Sequence, residues 1–271
     1  MYTCMAKPQT NGVDTQELQR IDHIKYGWAK SSATTSVTLC NNMVDVYAGT
    51  SPSLKTIGMG PDARHATDNE MTLSWAAELH PYIAAWADGY YALSHYLDEF
   101  WAWNSLSGQG SSGCMSGHVN MKEMDYCKHA VYVTIYDFNG TAQGIYHEYA
   151  HLRLETLGIQ IEEHDYTLLL NEPSELYDSS VRHDKKRPMS AVLHGVYAWL
   201  MFTENDWQLY NSGVTTRDTF TSYSKHNVAK IKTGVQEIKN YGRFTKNGIE
   251  FIGGLYEWSD DLCARCEQEY R

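Results

Sequence analysis

The chain has 271 residues, 42% of them apolar and 13% aromatic, with 33 acidic against 22 basic side chains and a formal net charge of −11. That length and apolar content suffice to bury a core and exclude wholesale disorder. The acidic balance would repel a phosphate backbone, which argues against a nucleic-acid partner, and no run of 18 apolar residues is present to span a membrane.

Residues 1–66 are the least regular part. MYTCMAKPQTNGVDTQ, residues 1–16, has no apolar h-region and no cleavage-like site, so no signal peptide and a cytoplasmic location are expected. The cysteines at 4, 40, 114, 127, 263 and 266 then read as reduced thiols. Residues 14–30 read as a short helix capped by Asp14, and AGTSPS and GMGPDAR mark turns. Residues 68–103 carry apolar side chains at helical spacing, with Pro81 expected to divide them. A loop over 104–117, either a linker or a lid, leads towards AVYVTIYDF, 130–138, which alternates like a strand. The triplet NGT should turn that strand into a helix over 141–157.

Residues 159–170 read as a strand, and RPMSAVLHGVYAWLMF, 187–202, as a helix with Pro188 in its first turn. Val228, Ile231, Val235 and Ile238 place another helix at 227–241. The fold expected is mainly α with a few β-strands (α+β). It would form a single globular domain with its core over 67–271 and a metal site between the helices at 141–157 and 187–202.

The chemistry concentrates in GIYHEYAHLRLETLGI, residues 144–159. One helical turn separates His147 from His151, so both imidazoles leave the same face and can hold one cation, with Glu148 beside them to reach a metal-bound water. Leu154 and Leu157 stand where a metzincin needs Gly and His, which excludes that class. Two third ligands stay open. Glu172, in Asn171-Glu172, has the spacing of a thermolysin-type glutamate, although Pro173 follows it in a polar loop. His194 lies on a helix face that would also carry Arg187, Ser190, Ala191, Tyr197 and Ala198, and Gly195 beside it leaves room for a close approach.

Other residues carry less. Tyr146 and Tyr149 are expected to pack, His118 and His129 lie far from the motif in sequence, and Asp178 and Asp184 are secondary carboxylates. The CxxC at Cys263 and Cys266 lacks the second pair that a structural zinc would need.

HEYAH taken with SSVRHDKKRPMSAVLHGVYAWL resembles the HExxH-motif peptide-modification proteins, bacterial proteins associated with ribosomally made, post-translationally modified peptides. Their signature is an HExxH helix, a loop of the kind S-P-W-R-x-x-x-R-P, and L-H-G-x-Y-A-F. The matching positions are Ser179, Ser180, Arg182, Arg187, Pro188, Leu193, His194, Gly195, Tyr197 and Ala198. The Pro-Trp of that loop is replaced by Ser180-Val181, and Trp199 stands where Phe is usual. The resemblance covers roughly residues 140–202.

It implies an iron(II)- and 2-oxoglutarate-dependent hydroxylase acting on a side-chain carbon, expected to be the β-carbon, of a precursor peptide. His147, His151 and His194 would face the iron. Arg187 or Arg182 would meet the far carboxylate of the keto acid, with Tyr197 and Ser190 lining its site. Glu148 would orient a water or a histidine. The residues themselves also suit a zinc peptidase with Glu148 as general base, or a peptide-binding protein with a structural metal.

Overall fold

In the computed structural model the described residues are 6–8, 37–39, 44–48, 65–66, 74, 78–105, 114–116, 130–135, 137–159, 168–181 and 184–271. The helix expected over 14–30 and the turns AGTSPS and GMGPDAR lie outside them. Strands β1 (Val37–Leu39), β2 (Val44–Ala48), β3 (His65–Ala66), β4 (Glu99–Ser105), β5 (Cys114–Ser116) and β6 (Ala130–Ile135) form one sheet in the order β1-β2-β4-β6-β5, with β3 also on β4. Strands β2, β4 and β6 run parallel, and the others pair antiparallel. Every residue of β6 is buried, as expected of a central parallel strand covered on both faces.

Residues 99–103, expected to continue a helix, belong to β4. Phe100 and Ala102 join the main core, while Trp101 stacks between Tyr47 at 4.6 Å and Tyr132 at 6.4 Å on the opposite face. Aromatic side chains that find cross-strand partners on both sides override their helical spacing. The helices described in full there are α1 (His80–Ala84) and α2 (Ala87–Tyr96). Pro81 stands in the first turn of α1, which has no use for its missing N–H, and a turn at Leu79 separates that helix from the helical Glu78, the division expected there. A further break falls at Ala85 and Trp86.

Helix α3 (Phe138–Thr156) carries the HExxH motif and starts three residues earlier than expected. Asp137 caps it, accepting from the Gly140 amide at 2.7 Å, so Asn139-Gly140-Thr141 is helix and not turn. The helix ends at Leu157-Gly158-Ile159. Gly158 has φ 90°, its amide donates to the Glu155 carbonyl, and the Ile159 amide donates to the Leu154 carbonyl, both at 2.9 Å. This is a Schellman cap, which needs a residue free to take positive φ.

Of the strand expected at 159–170, the described residues 159 and 168–170 form only an isolated bridge from Leu169 to Phe244. A short hairpin of β7 (Leu176–Tyr177) and β8 (Arg187–Pro188) follows. Three long helices complete the chain: α4 (Met189–Asn211), α5 (Arg217–Tyr241) and α6 (Lys246–Gln268). The protein is mainly helical with a few strands. Helices α3 and α4 pack antiparallel, matching Gln143 with Asp206, His147 with Phe202, His151 with His194 and Arg153 with Tyr197. Among the described residues no helix is long and apolar enough to cross a membrane.

Candidate metal centre

Helix α3 turns Gln143, His147 and His151 towards α4 at intervals of four residues, one face of a helix. The Nε2 atoms of His147 and His151 lie 3.1 Å apart. Two nitrogens bound to one cation at about 2.1 Å stand about 3.0–3.4 Å apart, so the pair is spaced as two ligands of a single ion. Glu148 Oε1 lies 3.9 Å from His147 Nε2, and ligand atoms of His147, Glu148 and His151 all fall within 4.8 Å of one another. The Glu148 side chain is buried, whereas that of His147 is 27% exposed, which opens one flank of the group. Phe202 stacks on the His147 ring at 6.2 Å and 17°.

His194 approaches this group from α4 without joining it. Its ring lies along that of His151 at 5.2 Å and 23°, the two Nδ1 atoms are 2.9 Å apart, and its Nε2 is 2.5 Å from the Ile159 carbonyl oxygen. Both of its nitrogens therefore face a partner other than the point between His147 and His151. The expected three-imidazole face is not assembled as drawn from the sequence: two imidazoles face one point, and the third stands behind the second.

Of the residues expected around a keto acid, Ser190 and Tyr197 lie on α4 with His194. Arg187 does not share the helix face of His194, because α4 begins at Met189 and Arg187 is in β8, paired with Tyr177. Pro188 in front of it holds that stretch extended. Arg182 lies outside the described residues, as do His118 and His129. Ser190 is buried in the first turn of α4. The Tyr197 hydroxyl accepts a hydrogen bond from Arg153 Nη1, and its ring packs against Phe251 and Trp258 of α6, so it belongs to the core. Gly195 does mark a close approach, since a Cβ there would sit 2.7 Å from Val181 Cγ2.

Glu172, the alternative third ligand, is exposed in a turn and is not part of the group. Its neighbour Asn171 is buried and structural, donating to Tyr177 and the Tyr241 carbonyl while accepting from the Arg243 amide. Asp178 and Asp184 are exposed. Tyr146 and Tyr149 are core residues, the former donating to the Ile83 carbonyl at 2.7 Å. Burial pushes the Cys263 thiol up to about 11 and the Cys266 thiol up as well, so the CxxC pair stays protonated inside α6.

Sequence reasoning missed Arg153, Gly158, Ile159 and Phe202. Arg153 was legible in part, because four residues after Tyr149 it falls on the buried face, where a guanidinium is unexpected. Gly158 directly after the last periodic residue is a readable helix stop. No family model and no curated protein matches this chain.

Proposed function

We propose that this chain is a metal-dependent peptide-modifying enzyme whose cation is held between His147 and His151. One observation carries the reading: two imidazole nitrogens spaced as ligands, beside a buried carboxylate, on a flank that solvent reaches. The group fits a first-row divalent ion, since imidazole suits iron and zinc alike. Such an ion supplies Lewis acidity and, for iron(II), the activation of dioxygen.

Hydroxylation of a ribosomally made precursor peptide with 2-oxoglutarate is the first reading, resting on the resemblance over 140–202. On this reading His147 and His151 hold iron(II), Glu148 orients a water at the exposed flank, and Arg182 or Arg187 offers the guanidinium for the far carboxylate of the keto acid. Zinc-dependent peptide cleavage is the second reading, and Glu148 favours it. At 3.9 Å from His147 Nε2 its carboxylate lies farther than a shared ligand would and close enough to take a proton from a water between them.

The test loads the purified protein anaerobically with iron(II), then adds 2-oxoglutarate and oxygen and follows succinate. Succinate formed by the native chain and lost in His147→Ala supports the hydroxylase. Fragments of a denatured casein substrate formed with zinc and without oxygen, and lost in Glu148→Gln, support the peptidase. Absence of both succinate and peptide fragments, with iron(II) and with zinc, overturns the enzyme reading.

A further inference from the structure

Three imidazoles and one carbonyl form a continuous run. His147 Nε2 faces His151 Nε2 at 3.1 Å, His151 Nδ1 faces His194 Nδ1 at 2.9 Å, and His194 Nε2 faces the Ile159 oxygen at 2.5 Å. A carbonyl oxygen only accepts, so His194 carries its proton on Nε2. The neutral ring then has its lone pair on Nδ1, and His151 must donate to it from its own Nδ1. That leaves the lone pair of His151 on Nε2, the nitrogen turned towards His147.

We propose that His194 is a positioning residue and not a ligand: it accepts from His151 Nδ1, fixing both the tautomer and the ring plane in which His151 Nε2 meets the cation. The inference rests on His147 and His151 holding that cation, as proposed above. A ligating imidazole commonly donates its other N–H to an outer acceptor that sets its orientation and basicity. Here the acceptor is itself held. His194 is 1% exposed, and its Nε2–H is taken by a carbonyl in the Schellman cap of the HExxH helix. Gly158 at φ 90° turns the chain so that the Ile159 carbonyl meets α4. The helix that bears the two ligands thus ends by fixing the residue that orients the second of them.

The first measurement needs no metal. Two-bond proton–nitrogen spectra of histidine-labelled protein should show His194 protonated on Nε2 and His151 on Nδ1; the opposite tautomer at either ring overturns the proposal. The second uses cobalt(II) as probe in the native protein, His194→Asn and His194→Ala. Asparagine places an acceptor oxygen near the position of Nδ1, so His194→Asn should keep cobalt affinity within about threefold, whereas His194→Ala should lose about 10–100-fold. X-ray absorption should count the same number of imidazole ligands in all three. Loss of one imidazole in His194→Asn, or equal loss of affinity in both variants, overturns the proposal. A native protein that binds no cobalt sinks the metal reading above, while the tautomers still decide the His194–His151 bond.

Discussion

Distances set Glu148 apart from His147 and His151, which chain position alone lumps together. The two Nε2 atoms at 3.1 Å match ligands of one ion, while the Glu148 oxygen at 3.9 Å from His147 is better placed to handle a proton. Glu148→Gln should therefore keep zinc affinity within about threefold in a calorimetric titration. His147→Ala should lose more than the about 10–100-fold typical of outer-shell changes. Equal losses in both variants would make Glu148 a ligand. One turn back along the same face of α3, Gln143 meets Asp206 of α4, which is buried between Gln143 and Asn227, both donating to its Oδ2 at 2.7 and 3.2 Å. Burial pushes its carboxyl well above the usual range, against the Gln143 bond. A raised folded-state value means that its contribution is whole below about 3.8 and is lost as pH rises through that folded value, at about 1.4 kcal/mol per pH unit. Asp206→Asn keeps an acceptor for Gln143 without that loss, so in urea titrations its stability relative to the native chain should increase with pH.

The elements around the site were legible to different degrees, for physical reasons. Helix α3 could be read because one face carries His147 and His151 and the other carries Tyr146, Tyr149 and Ala150 at helical intervals. Strand β4 could not, because Phe100, Trp101 and Ala102 satisfy a helical pattern until Tyr47 and Tyr132 take Trp101 between them. His194 could be placed beside the motif but not oriented, since its Nε2 partner is a backbone carbonyl, and main-chain acceptors leave no mark in side-chain spacing. Helix α6 went unread because polar residues fill much of its length and its buried stripe includes Gly254, Ser259, Cys263 and Cys266. The approach of α4 to α5 depends on another small residue. A Cβ at Gly234 would stand 2.3 Å from Val196 Cγ2 and 2.7 Å from Ser180 Oγ. Gly234→Ala should therefore cost about 1–3 kcal/mol in denaturant unfolding, although alanine is the better helix former. A stabilised variant would mean that the two helices part easily.

At the scale of the molecule, Glu204 ties three distant stretches together. It sits fully buried on α4 and accepts from Trp258 Nε1 at 2.8 Å and from both Arg265 amino groups at 3.2 and 2.7 Å, all on α6. Lys7 adds an ion pair at 3.2 Å from the N-terminal segment. Burial pushes the Glu204 carboxyl up, but the Arg265 bonds, the Lys7 charge and Trp258 outweigh it and hold the carboxyl below its ordinary value. A depressed value acts opposite to Asp206: the stabilisation is present above about 4.5 and is lost as pH falls through the folded-state value. Glu204→Gln takes the counter-charge from Lys7 and leaves Arg265 with Asp261 alone, 2.9 Å from its Nε, and should cost about 1.5–3 kcal/mol at neutral pH. The deficit should shrink on acidification, because the protonated native side chain then resembles the amide. Cys263 and Cys266 supply the readout, being buried on the same helix with thiols kept protonated by burial. In the native protein they should react with a thiol reagent only when α6 opens. Glu204→Gln should speed that labelling by about tenfold or more at pH 7 while leaving unfolded-state labelling unchanged. Equal rates in the two proteins would mean that the apolar contacts of Phe251, Leu255 and Leu262, and not the ion cluster, hold α6 in place.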